Sequence, residues 1–291
     1  MFRTFESLKL SVLGAAACLV LASCAQQPSA PASTTPAPPP AKASSGGAAA
    51  APAAAPAAAP AADAVDPEVL KALDRMSAYL RTLTSFQVDT YSLTDDALDN
   101  GQLAQLGRTA RLKVRRPDGL QVELNNDRGD RNVLYYNGKT ASIYSPRTKY
   151  YATVPAPATL KEVVGVLTEK YDIDVPAADL FSWDSGKMDP AAIKSASYLG
   201  VAAVDGHLTD QFAVRQADVD WQIWIERGST PLPRKLVIVT TSDPARPQHT
   251  VVLRWNTSAT FAPSVFDFKA PAGSHRIAIQ RTDGTVENPG K

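Results

Sequence analysis

Three histidines, three close acidic pairs and one Asn/Asp-rich loop are the side chains of this sequence whose types suit polar chemistry. His207, His249 and His275 are widely spaced. No two stand at i, i+4, where one helix face would offer both imidazoles to a metal, and no Gly-x-Ser-x-Gly elbow exposes a nucleophile. They read as surface histidines on strand ends or in the tail. Asp95/Asp96, Asp172/Asp174 and Asp218/Asp220 carry the group needed for acid–base work or Ca²⁺ binding. Short carboxylates more commonly close turns and cap helices, because they bond nearby backbone N–H groups. Residues 125–131 have the oxygen donors of a calcium loop, but Arg128 and Arg131 oppose that charge and a terminal glutamate is missing. A hairpin loop is the expectation there. No catalytic residue, metal ligand set or cofactor site is assigned, and a hydrolase would need a nucleophile and base that these residues do not assemble.

The two thiols have a different fate. Arg3 and Lys9 precede an apolar run from Leu10 to Leu21, which ends in Leu21-Ala22-Ser23-Cys24. About a dozen apolar residues fall short of the ~20 that span a bilayer, so the segment reads as a secretory signal. An aliphatic residue, two small ones and a cysteine resemble the lipobox read by lipoprotein signal peptidase, which would make Cys24 the site of lipidation. Ordinary cleavage near the same place, leaving a free thiol, is the alternative. Ala25 stands where an aspartate would resemble an inner-membrane retention signal, so a periplasm-facing outer-membrane anchor is expected. Cys18 would leave with the signal and Cys24 would carry the lipid. The remaining domain would have no disulfide, thiolate metal site or cysteine nucleophile.

Behind the cysteine, residues 25–65 are about two-thirds Ala and Pro, with almost no large apolar side chain. Such a stretch cannot offset the entropy of folding. Its prolines bias it to polyproline II, with a reach on the order of 100 Å. The expected organisation is a signal peptide at 1–23, a lipidated cysteine and linker at 24–65, a folded domain at 66–277 and a flexible tail at 278–291. The formal net charge of +1, with both signs interspersed, offers no broad basic field and argues against a nucleic-acid partner.

The elements that must position any site begin at Asp66-Pro67, an N-cap with proline at the first helical position. Val69, Leu73, Met76, Leu80 and Leu83 recur at spacings of four and three, which predicts one amphipathic helix. After Thr84 the period changes to two. Strands are expected at 86–93, 109–116, 120–125, 132–137, 140–144 and 150–154, with two-residue hairpin turns at Asp118-Gly119 and Asn137-Gly138. Thr159-Leu160-Lys161-Glu162 reads as a capping box opening a helix with a Leu160/Val163/Val164/Leu167 stripe. Shorter helical turns follow at Pro176 and Asp189-Pro190. Strands resume at 196–204, 207–216, 219–226, 234–241, 248–255 and 265–269. One helix, about a dozen antiparallel strands and a central helical insert predict an α+β fold. A long sheet curls, so the expectation is a strongly curved half-barrel of about 11–12 strands, its concave face covered by the first helix and the insert at 158–192.

That order of elements resembles the LolA/LolB-like superfamily of periplasmic lipoprotein carriers and RseB-type sensor domains. More narrowly, five stretches are similar to a predicted periplasmic family, domain of unknown function 2092. They are Asp66-Pro-Glu-Val-Leu-Lys-Ala-Leu-Asp-Arg-Met, Lys149-Tyr-Tyr-Ala-Thr-Val-Pro-Ala-Pro, Pro176-Ala-Ala-Asp-Leu-Phe, Val219-Asp-Trp-Gln-Ile-Trp-Ile-Glu and Pro233-Arg-Lys-Leu-Val-Ile. The superfamily implies a concave apolar surface that binds acyl chains beneath movable helices, and brings no catalytic residues. On this sequence that surface would comprise Leu112, Val114, Val122, Trp221 and Ile223 on strands, with Leu160, Val163, Val164, Leu167 and Phe181 from the helical lid. The expected partners are the membrane, through the lipid anchor, and a lipid, acyl chain or lipoprotein. Trp224 alternates to the more polar face, where it would be covered by an aromatic neighbour or contribute to an envelope-protein contact. A closed, packed core with such a contact is the alternative reading: a non-catalytic interaction or sensor protein.

Overall fold

A computed structural model describes residues 64–177 and 190–287. Cys24, the linker to residue 63, Phe181 and Asp189 lie outside the described residues.

The first helix, α1 (Pro67–Thr82), starts where its cap predicts: the Asp66 carboxylate accepts from Glu68 N–H at 2.9 Å. Its apolar stripe, Val69, Leu73, Met76 and Leu80, is buried. Six strands follow as a meander: β1 (Ser85–Ala97), β2 (Leu103–Arg115), β3 (Gly119–Asn126), β4 (Arg131–Tyr136), β5 (Thr140–Ser145) and β6 (Tyr150–Pro155). Helix α2 (Leu160–Tyr171) comes next, and a 3₁₀ turn at Pro190–Ala192 leads into a second run. This comprises β7 (Ser195–Val204), β8 (His207–Arg215), β9 (Val219–Glu226), β10 (Pro233–Thr240) and β11 (Gln248–Asn256). Two residues near the C-terminus, β12 (His275–Arg276), complete a 12-stranded sheet in the order β12-β6-β5-β4-β3-β2-β1-β11-β10-β9-β8-β7. Every pairing is antiparallel except β12 on β6. The end strands do not pair with each other, so the curved sheet stays open, as the half-barrel expectation requires. No helix among the described residues is long and apolar enough to cross a membrane.

Several local expectations need correction. The β1–β2 hairpin is longer than its apolar alternation suggests, because its outer arms pair through polar residues that leave no period-two signal; the pairing runs on to Ala97↔Leu103. Asp118-Gly119 is not a two-residue turn. Arg115 pairs with Gly119, so residues 116–118 form the loop, and the carbonyl of Pro117 there accepts from Leu160 N–H at 2.9 Å. The Asn137 turn is also longer: its side-chain oxygen accepts from Lys139 and Thr140 N–H at 3.1 and 3.0 Å, with Gly138 at φ +80°. At α2, Thr159 Oγ1 accepts from Glu162 N–H at 3.4 Å but donates to the Glu162 carboxylate at 2.7 Å, so the reciprocal half of the capping box is not made.

The largest departure is C-terminal. The strand expected at 265–269 is instead a strap across the convex face. Phe266 is buried over Gly119, and Phe268 stacks on Tyr135, Tyr144 and Tyr151 at centroid distances of 5.4, 5.8 and 5.0 Å. Residues expected to fray then turn round the sheet edge through β12 and the small hairpin β13 (Ile279–Gln280) and β14 (Val286–Glu287). There Thr282 N–H and Oγ1 donate to the Lys170 and Glu169 carbonyls at 2.8 and 2.9 Å, and Tyr171 OH donates to Glu287. The strap thereby satisfies carbonyls that the end of α2 leaves open.

Candidate functional site

Antiparallel register places the concave-facing side chains in continuous rows. Val88, Leu112, Val122, Leu134, Ile143 and Ala152 lie opposite one another in turn from β1 to β6. Phe86, Val114, Leu120, Tyr136, Ala141 and Val154 make the next row. On the other side of β1 the floor continues from β11 to β8 through Leu253, Val251, Leu236, Ile238, Ile223, Trp221, Phe212 and Val214, all in the same buried cluster. Cross-strand pairs of this kind are what stabilise a sheet face.

The structure brings nine of the ten expected lining residues together. Leu112, Val114, Val122, Leu160, Val163, Val164, Leu167, Trp221 and Ile223 share one apolar cluster with α1, and none is more than 9% exposed. Phe181, the tenth, lies outside the described residues. The packing is close, and two hollows border it. One of about 50 Å³ sits between Ala72, Arg75, Phe212 and Ile225, and a shallow one of about 270 Å³ includes Ser195, Ala213, Val214, Trp221 and Val237. Seated on the floor, α2 is held to other elements through its main chain near its two ends among the described residues, at Leu160 and at Glu169 and Lys170.

Trp224 is 8% exposed beneath the ammonium of Lys235, 4.6 Å from its ring centroid. Of the two arrangements expected there it takes the covered one, with a cation rather than an aromatic as the cover. Exposed apolar side chains gather instead on β7 and β8, at Tyr198, Leu199, Val201 and Leu208.

Sequence reasoning missed the polar end of the concave face. Along β2, Arg108 continues the parity of Ala110, Leu112 and Val114; along β1, Ser92 and Thr94 continue that of Val88 and Thr90. Ser92 pairs with Arg108, and Thr94 with His249, whose Nδ1 lies 2.8 Å from Thr94 Oγ1. Burial, reinforced by the Arg108 charge, pushes His249 down to about 4, so this ring is a neutral, half-buried group and not a surface histidine. Asp174, two residues past the α2 C-cap, is raised by burial while Arg108 pulls it the other way. The signal for this cluster was parity alone, available only with β2 extended back to Leu103.

The remaining candidates serve structure. His207 Nδ1 lies 3.0 Å from Glu226, which also accepts from buried Arg234 at 2.9 Å. His275 is exposed beside Tyr150. Asp220 is held below the usual carboxylate range by its two hydrogen bonds from Arg215, at 2.8 and 3.0 Å. In the 125–131 loop the oxygens are turned inward: Asn126 Oδ1 accepts from Arg128 and Asp130 N–H, and Asp127 from Gly107 N–H. Among the described residues no three His, Cys, Asp or Glu side chains gather as a metal would require.

Residues 70–280 match the family described as Predicted periplasmic protein, domain of unknown function 2092. The chain belongs to this family. The match spans α1 to β13 and so takes in both helices and the whole concave face. This domain of unknown function 2092 protein is similar in structure to the Mycobacterium tuberculosis lipoprotein LppX, at 13% identity over 68% of this chain and 100% of that chain, with a TM-score of 0.42. It is similar to LprF from Mycobacterium bovis at 13% identity over 68% and 98% of the two chains, with a TM-score of 0.43. The figures for a LolA superfamily protein from Nitrosomonas europaea are 12%, 68%, 97% and 0.29. No curated protein matches the chain.

Proposed function

We propose that this protein is a lipid-anchored envelope protein that takes up an apolar ligand, a lipid, acyl chain or lipoprotein, between the concave floor of its sheet and α2. The observation that carries this reading is the floor itself: an uninterrupted apolar surface across an open sheet, roofed by helices that touch it through side chains. Apolar side-chain packing can be exchanged for acyl contacts at little cost, because the hydrophobic effect is non-directional. Ligand entry then requires α2 to pivot on its end contacts at Pro117 and Thr282. The signal at 1–23 and lipidation at Cys24 supply the anchor, the linker at 24–65 supplies the reach, and Ala25 favours the outer membrane. The protein would hold or receive its ligand near a membrane and would not shuttle freely. A Cys24→Ser form recovered from the envelope without detergent should show co-purified lipid by native mass spectrometry, or take up a fluorescent fatty acid. Repeated absence of both overturns the reading.

The close packing of the nine lining residues favours a second reading, an interaction or sensor protein whose core stays shut. Its contact surface would be the apolar edge at Tyr198, Leu199, Val201 and Leu208 rather than Trp224. Photo-crosslinking in cells from Val201 would then capture one discrete envelope protein, and the fatty acid would not bind.

A further inference from the structure

We propose that the polar end of the concave face is a headgroup subsite, in which Arg108 binds the carboxylate or phosphate of an anionic amphiphile. This rests on the apolar-ligand reading above and names the ligand's class.

The rows of the floor change character along the strands. Phe86/Val114/Leu120 and Val88/Leu112/Val122 are apolar throughout. Thr90/Ala110/Leu124 is mixed, and the next row, Ser92/Arg108/Asn126, is polar. A ligand lying along β2 from Val114 to Arg108 therefore meets about 20 Å of surface that is apolar for most of its length and ends in a cation. The polar groups around that cation are already arranged. Asn126 is committed to its own loop through Arg128, Asp130 and the Asp130 carboxylate, and His249 is engaged with Thr94. Arg108 differs from its strand neighbours. Arg111 meets Asp89 at 2.6 Å and Arg115 meets Asp118 at 2.9 Å, whereas Arg108 is exposed and makes no ion pair among the described residues. Asp174 lies close enough to feel its charge but is not bonded to it. A guanidinium at the end of the apolar rows, with no ion pair among the described residues, suits bidentate capture of a planar carboxylate or a phosphate. His249, neutral at pH 7, adds no second charge, so one anionic group is the stoichiometry that fits.

The test compares four probes on the full-length Cys24→Ser chain: oleate and methyl oleate, phosphatidylglycerol and diacylglycerol. Oleate or phosphatidylglycerol should bind about tenfold or more tighter than its neutral counterpart. Arg108→Gln should abolish that preference while leaving methyl oleate binding and the melting temperature unchanged, and Arg108→Lys should restore part of it. A preference confined to oleate assigns a carboxylate, and one confined to phosphatidylglycerol assigns a phosphate. Equal binding of charged and neutral probes, or a preference that survives in Arg108→Gln, overturns the subsite alone. Failure of all four probes to bind overturns the apolar-ligand reading and the subsite together.

Discussion

At the scale of single residues, His249 ties the polar end of the floor to the stability of the fold. Its imidazole is uncharged where it packs against Thr94, because burial and the nearby Arg108 both disfavour the cation and hold it at about 4. In the unfolded chain the same group titrates near 6.5. The folded state therefore binds this proton more weakly than the unfolded one. Its contribution is whole above about pH 6.5 and is lost as pH falls from there towards 4. Urea denaturation at pH 7 and at pH 4.5 should show the wild type losing about 1–2 kcal/mol more than His249→Gln, a figure reduced from the full shift because the ring is only half-buried. A slope that is the same in both proteins would show that His249 does not titrate in this way. His249 also marks the limit of what single residues disclose. The apolar lining was legible, because Leu112, Val114, Val122, Trp221 and Ile223 alternate with polar neighbours, and alternation reports which side chains share a face. Arg108 and His249 were not: a charged or polar residue at an inward position looks the same as one at a frayed strand end until the register of its neighbours is known.

At the scale of elements, the same logic explains both the successes and the strap. Both helices announce themselves through a cap and a stripe, Asp66 with Val69/Leu73/Met76 and Thr159 with Leu160/Val163/Leu167, and both stripes are buried where expected. Val265-Phe266-Asp267-Phe268 alternates like a strand because one side of it does face a surface, yet it crosses the sheet and pairs with no strand. Period two reports a one-sided environment, not a hydrogen-bonded ladder. The strap depends on Gly119, which sits under the Phe266 ring; a Cβ there would stand 2.8 Å from ring carbons. Gly119→Ala should destabilise the protein by about 1–3 kcal/mol, since a buried ring packed against backbone has little room to withdraw. In the Phe266→Leu background the same substitution should cost less, and equilibrium unfolding of the four-protein cycle measures the coupling. Strictly additive effects would refute the contact. Amide exchange at the end of α2 should quicken in Gly119→Ala if the loosened strap also slackens at Thr282.

At the scale of the whole molecule, the open sheet and the anchor set different tests. The fold class was readable from the count and order of elements, whereas the depth of any cavity was not, because a packed core and an acyl-binding floor draw on the same side chains. The proposed tether is separable from the fold. Cys24→Ser should move the protein from the membrane fraction to the soluble periplasmic fraction with an unchanged melting temperature, since Cys24 stands about forty residues before α1. A Cys24→Ser chain that remained on the membrane would remove the lipid anchor from the account.

The sheet's strand order has a further consequence. The first strand made, β1, lies in the middle of the sheet, and its second neighbour is β11: Gln87 pairs with Asn256 and Thr94 with His249. Emerging from its N-terminus, the chain can build the meander through β6 at once, but that half-sheet keeps a bare main-chain edge along the length of β1. The edge is capped only when residues 248–256 arrive, and pairings so distant in sequence form slowly. Until then the nascent protein presents an unpaired strand beside an uncovered apolar face, the combination that invites misassociation. Its passage to the native state should therefore depend on a holding chaperone until residues 248–256 have emerged.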